Sequence, residues 1–261
     1  MKAKIIVVII IVMAFGSALW SSWSKTSPYK NDVNSACTAK SVKWAQYIVC
    51  TYDPSLHDFR LVNVGTGGAI IRNFAGLSKY LGKSAKNVVF AMNAGMYDET
   101  GRPIGLYIGD SKQYASINRR DAEGNFYLKP NGVFWIDTTG AHIDTTDAYA
   151  ANIKAAPIWA TQSGPMLVVD GAVNSRFSPD GTSRHIRNGV CINDDKSAAF
   201  VISETEISLG KFARFMLDGL HCVNALYLDG EVSSLWDGAT GRNDQKYPIG
   251  PMLVVSARRG R

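Results

Sequence analysis

With 261 residues, 46% of them hydrophobic, the chain is long enough to bury one substantial core, and its composition argues against disorder and against a solenoid. The formal charge of +6 is scattered along the sequence and gathers only at Arg258, Arg259 and Arg261, with neither an aromatic-basic motif nor a helix-turn-helix pattern beside it. Nucleic acid is therefore not the expected partner, whereas a partner carrying phosphate or another anion remains compatible.

Lys2 and Lys4 precede an apolar run that extends from Ile5 to Leu19. A basic start followed by roughly 15 apolar residues reads as an export signal and falls short of the ~20 needed to span a bilayer. Residues 1–20 are accordingly expected to be a signal peptide, cleaved after Ala18, or a retained N-terminal membrane anchor with Trp20 and Trp23 at the membrane surface. Residues 21–36, rich in Ser, Lys and Asn, read as a linker, and a single domain is expected over 37–261. Either reading of the N-terminus puts that domain outside the cytoplasm, in the periplasm or at the cell envelope.

The four cysteines, an even number without a CxxC pair, agree with an oxidising compartment and point to disulfides rather than zinc. Three connectivities are open. Cys37 and Cys50 flank a short N-terminal loop and form the favoured pair, leaving Cys191 and Cys222 as a second disulfide or as two buried thiols.

From there on, β-branched and aromatic residues recur in short runs bounded by Gly, Pro, Asn and Asp. They predict strands near 47–52, 59–64, 88–92, 106–108, 132–136, 166–169, 189–192, 199–202, 225–228 and 252–255. Helical patterns are fewer, at 73–81, 146–154 and 208–219, the last with Ser208 as a cap. Strands interrupted by an occasional helix define an α+β domain with a mixed sheet core and a few flanking helices. The hexapeptide Gly-Pro-Met-Leu-Val-Val occurs at Gly164 and again at Gly250, too short a match to define a repeat.

Polar residues cluster where these strands end. In Asn93-Ala-Gly-Met-Tyr-Asp98, Gly95 permits a bend after a buried strand, so that Asn93 and Asp98 either face a pocket or close a turn on their own backbone. Lys129 and Asn131 lie in a turn where they can meet an anion. Arg184 and Arg187, three apart, offer planar donors matched to phosphate oxygens, although exposed arginines commonly satisfy themselves with water. Asp229 and Glu231 close an apolar strand; either Asp229 faces inward as a functional carboxylate or it caps the turn.

Other chemistries fit less well. Ser163 has no GxSxG elbow, and His57, His142, His185 and His221 stand in no triad pattern, which argues against a serine hydrolase. There is no HExxH, and the run from Asp121 to Asn125 lacks the downstream Glu of a calcium loop, so neither metal nor cofactor is expected.

Taken in order, NAGMYDETGRPIGL, KPNGVFWI, TQSGPMLVVDG, SRHIRNGVCI and ALYLDGEVSSLW resemble the successive motifs of the phosphodiester glycosidase family, in its small exported bacterial branch. The resemblance implies an α+β fold and an exported hydrolase that cleaves a sugar-1-phosphodiester, such as an N-acetylglucosamine-like sugar linked through phosphate to an aglycone or envelope polymer. It implies Asp229, Asp98 and Arg187 as catalytic residues, the carboxylates assisting water or an oxocarbenium-like centre. Arg184 or Arg187, together with Lys129, would hold the phosphate, Asn93, Asn131 and Ser163 would orient sugar hydroxyls, and Ser233 completes the binding set. Relatives carry Leu-Asp-Gly-Gly-Gly-Ser where this chain has Leu228-Asp-Gly-Glu-Val-Ser233. The alternative is a non-catalytic module that binds envelope glycans or phosphorylated polymers.

Overall fold

The computed structural model describes residues 36–152, 156–244 and 246–258. The expected signal or anchor, nearly all of the expected linker, and Arg259 and Arg261 lie outside the described residues. Strands run through Cys37–Val42 (β1), Ala45–Tyr52 (β2), His57–Val62 (β3), Val88–Asn93 (β4), Tyr107–Gly109 (β5) and Lys112–Ala115 (β6). They continue with Gly132–Asp137 (β7), Gly140–Thr145 (β8), Trp159–Ser163 (β9), Met166–Val169 (β10), Ala172–Val173 (β11) and Asn188–Ile192 (β12). Ala198–Ser203 (β13), Ala225–Tyr227 (β14), Leu235–Asp237 (β15), Arg242–Asn243 (β16) and Met252–Ala257 (β17) complete the set.

Among the described residues three α-helices flank them: Phe74–Leu81 (α1), Thr146–Asn152 (α2) and Leu209–Arg214 (α3). The Asn73 side chain caps α1 by accepting from the Gly76 N–H at 2.7 Å, and the Ser208 hydroxyl caps α3 by accepting from the Lys211 N–H at 3.2 Å. A wider turn over Phe215–Gly219 follows α3 directly. Among the described residues no helix is long and apolar enough to cross a membrane.

The α+β class is as the sequence implies. Among the described residues the sheet core consists of three sheets, ordered β1-β2-β13-β12-β14-β10-β11, β16-β15-β4-β17-β3 and β6-β5-β9-β7-β8. Every strand pair among the described residues is antiparallel. Short hairpins supply many of these connections, and such links need no helical crossover. The two Gly-Pro-Met-Leu-Val-Val segments become β10 and β17, which belong to different sheets.

Phe200 marks the place where the sheets meet. It comes from β13, whose six residues are all buried. Its ring lies 5.1 Å from Phe90 of β4, 6.4 Å from Phe59 of β3 and 5.8 Å from Phe134 of β7, so that one side chain touches all three layers. Truncating such a residue to alanine costs about 3–5 kcal/mol.

Two disulfides form. Cys37–Cys50 joins directly paired residues of β1 and β2, and Cys191–Cys222 ties β12 to the segment leading into β14. The second holds together the strands that carry the polar cluster described next.

Candidate active site

The last residue of β4, the first of β12 and the turn after β14 come together at one edge, and Asn93 joins them. Its Nδ2 donates to the Asp229 carbonyl at 2.6 Å, and its Oδ1 accepts from Asn188 Nδ2 and from the Ser234 N–H, each at 2.9 Å. The Asp229 N–H donates to the Ala94 carbonyl at 3.1 Å, and the Leu228 N–H to the Asn188 carbonyl at 3.1 Å. Asn93 and Asn188 are both fully buried, so these bonds form where water competes little. Gly95 follows at once, and a Cβ there would collide with the Gln162 carbonyl of β9. Its role is close approach of two backbones.

Asp229 is half-buried. Burial pushes its carboxyl up to about 6, the Glu231 charge pushes in the same direction, and the Glu231 N–H partly offsets both. Between the two carboxylates stands Gly230, against which the Tyr227 hydroxyl packs so closely that a Cβ would have no room. Tyr227 is in turn held by Arg187, whose Nη1 donates to the phenolic oxygen at 2.6 Å. Sequence, turn and carboxylate position are thus linked: the glycine of Asp-Gly-Glu lets a buried tyrosine support the turn.

Tyr97 flanks the carboxylates as well. Burial is the main reason its phenol titrates above the usual range; the Asp229 charge adds to this, and the Arg72 guanidinium opposes it. Arg72 lies 4.8 Å over the Tyr97 ring, and its buried Nε has no hydrogen-bond partner. A half-buried cation with an unused donor therefore shares a tyrosine with the raised-pKa carboxylate. Nothing in the run Ile70-Ile71-Arg72-Asn73 singles out this arginine in the sequence, and Asn188 is equally unmarked beside Arg187.

The remaining expected residues divide. Asn93, Asp229 and Ser233 are brought together, the Ser233 hydroxyl donating to the Ile186 carbonyl at 2.9 Å and so tying the turn to the segment that leads into β12. Arg187 is 1% exposed. Besides Tyr227, its guanidinium donates to the Ile207 carbonyl at 3.2 Å and to the Ser183 carbonyl and hydroxyl at 3.1 and 3.2 Å. Arg184 is exposed. The two arginines therefore do not present their donors side by side: one is buried among its own partners and the other faces solvent.

Asp98 is also exposed, and its Oδ1 accepts from the Thr100 N–H, the Thr100 hydroxyl and the Arg102 N–H, closing its own turn. Lys129 and Asn131 line a different cavity of about 640 Å³, together with Arg119 and Arg176, and neither Asn93 nor Asp229 lines it. Lys129 there donates to the Arg119 carbonyl at 3.1 Å. Ser163 ends β9 fully buried, its hydroxyl without a partner. Among the described residues no three His, Cys, Asp or Glu side chains gather as a metal-holding group.

The fold places the chain in a class of α+β domains that includes the catalytic domain of zebrafish N-acetylglucosamine-1-phosphodiester alpha-N-acetylglucosaminidase, auto-inhibited by its pro-peptide. That structure superposes with a TM-score of 0.60 at 15% identity, covering 85% of this chain and 82% of the other. A putative exported protein from Burkholderia pseudomallei K96243 superposes with a TM-score of 0.52 at 13% identity, covering 81% and 74%. At these identities the likeness is one of fold.

Sequence comparison goes further: the phosphodiester glycosidase family model matches residues 86–256. Escherichia coli K12 protein YigE is 36% identical over 175 residues, covering 67% of this chain and 68% of that protein. The chain belongs to the phosphodiester glycosidase family, hydrolases of sugar phosphodiesters.

Proposed function

We propose that this protein is an exported hydrolase that releases an N-acetylglucosamine-like sugar from a phosphate-linked aglycone or cell-envelope polymer, with Asp229 as its catalytic carboxylate. The observation that carries the reading is the raised pKa of Asp229 at a strand end, beside a tyrosine that also carries the unused donor of Arg72. The two disulfides support export to an oxidising compartment. The substrate named for the zebrafish neighbour supports the choice of sugar.

In this mechanism water adds to the anomeric carbon and the C1–O bond breaks. The bonding pair leaves with the phosphate oxygen, while the proton of water passes to ionised Asp229. A phosphate monoester is a weakly basic leaving group that needs little protonation, so cations matter more than a strong acid. Arg72 supplies that cation, and its planar donors suit phosphate oxygens. Arg187 acts as a positioning residue through Tyr227 and Gly230, and Asn93 fixes Asp229 through its carbonyl.

The test supplies N-acetylglucosamine-α-1-phosphodiesters to the full chain and follows sugar and phosphate monoester. Stoichiometric release of both is expected; affinity without release would instead favour the binding module.

A further inference from the structure

We infer that a second site on this protein, built from β3, β5, β6 and α1, binds a saccharide. It is a cavity of about 560 Å³, within the roughly 300–1,000 Å³ range of small-molecule sites. The inference goes beyond the hydrolytic reading and does not require Asp229 to catalyse anything.

Three observations carry it. First, of the seven exposed large hydrophobic side chains found among the described residues, Val64, Tyr80 and Tyr114 all line this one cavity. Tyr80 is 46% and Tyr114 63% exposed, so both rings leave surface for a ligand. Exposed aromatic surface gathered in one concavity marks a binding site more than scattered residues do.

Second, Asn63 lines the same cavity, is only 3% exposed, and its Oδ1 has no hydrogen-bond partner. Leaving a buried polar atom unpaired costs about 1–3 kcal/mol. A ligand hydroxyl donated to Asn63 recovers that cost.

Third, the other walls pair apolar and polar groups. Tyr107 and Trp159 supply further ring surface, and Arg102 adds donors. A pyranose ring matches this combination: its C–H face packs on an aromatic ring while its hydroxyls both donate and accept at the edge.

The cavity is joined to the carboxylate cluster by one short turn. Tyr97 and Pro103 form an isolated antiparallel bridge, the Tyr97 phenol lying within the field of the Asp229 charge and Pro103 lining the cavity. A glycan held there lies one turn away from the reacting centre.

The experiment titrates chitotetraose and maltotetraose, which contain no phosphodiester, into the full chain and its variants by calorimetry. At least one tetrasaccharide is expected to bind wild type and Asp229→Asn equally, with affinity falling at least about tenfold in Tyr114→Ala and in Asn63→Ala. Because Asn63 Oδ1 is unpaired, Asn63→Ala should keep the thermal stability of wild type while losing affinity. The inference is overturned if neither sugar binds the folded protein, or if binding survives both cavity substitutions. Because no turnover is read, either result is separable from the fate of the hydrolytic proposal.

Discussion

The hydroxyl of Tyr227 occupies the space that a Cβ on Gly230 would need. Both are buried, and Arg187 fixes the phenol from its other side. The turn that presents Asp229 and Glu231 is therefore built against a side chain that cannot withdraw.

Gly230→Ala should accordingly displace the turn. Overpacking of this kind costs about 1–3 kcal/mol, and small misplacements of reacting groups lower rates by up to about 100-fold. Steady-state kinetics on a sugar phosphodiester should show kcat reduced at least about tenfold while circular dichroism retains the native spectrum.

The activity should depend on pH through Asp229, whose carboxyl titrates at about 6 in the fold. Ionised Asp229 is the active form, so kcat/KM should rise through that pH and level off above it. Glu231→Gln removes a charge that raises this pKa, and the acid limb should move to lower pH. A limb unmoved by that substitution would disconnect Glu231 from the titration.

Stability carries the opposite sign. Because the folded-state pKa of Asp229 is raised, folding favours its neutral form; that contribution is complete below the unfolded value and is lost as pH rises through about 6. Asp229→Asn should thus be more stable than wild type above this pH, by roughly 1–3 kcal/mol. The difference should vanish near the usual carboxylate range, as denaturant titrations at several pH values would show.

The three arginines should separate. Arg187→Ala leaves the Tyr227 hydroxyl and the Ile207 carbonyl without their partner, and each buried group so unpaired should cost about 1–3 kcal/mol. Arg72→Ala should lower kcat/KM on the phosphodiester with stability changed by no more than about 1 kcal/mol, and exposed Arg184→Ala should change stability by less than about 0.5 kcal/mol. Unfolding curves beside kinetics distinguish these outcomes.

Cys191→Ala with Cys222→Ala should destabilise the domain by about 2–4 kcal/mol through the unfolded chain it frees. The loss appears as a lower denaturation midpoint than that of the disulfide-bonded chain.

Much of the fold is legible in the sequence, because strand-forming runs and caps are local signals. Ser208 before α3 announces itself by residue type and position, whereas Asn73, read as the first residue of a helix, turns out to cap α1. The apolar run 199–202 likewise reads as a strand, though not as the strand whose Phe200 touches three sheets. Asn93 and Asp229 were legible as polar residues ending apolar strands.

What was not legible depends on long-range contact. Arg72 meets Tyr97 across the fold, and Arg187 spends its donors on Ile207, Tyr227 and Ser183, so spacing along the chain says nothing of which arginine keeps an unused donor. Asp98 shows the converse: its turn bonds to Thr100 and Arg102 are local, and the motif was compatible with them from the start.

The measurement that tests the account most directly is release of sugar and phosphate monoester from an N-acetylglucosamine-α-1-phosphodiester by the full chain and by Asp229→Asn. Turnover by wild type, reduced at least about 1,000-fold in the folded variant (roughly 4 kcal/mol of transition-state stabilisation), is the predicted result. Equal turnover by both proteins would contradict the role of Asp229, and no turnover by folded wild type would contradict the proposed reaction itself.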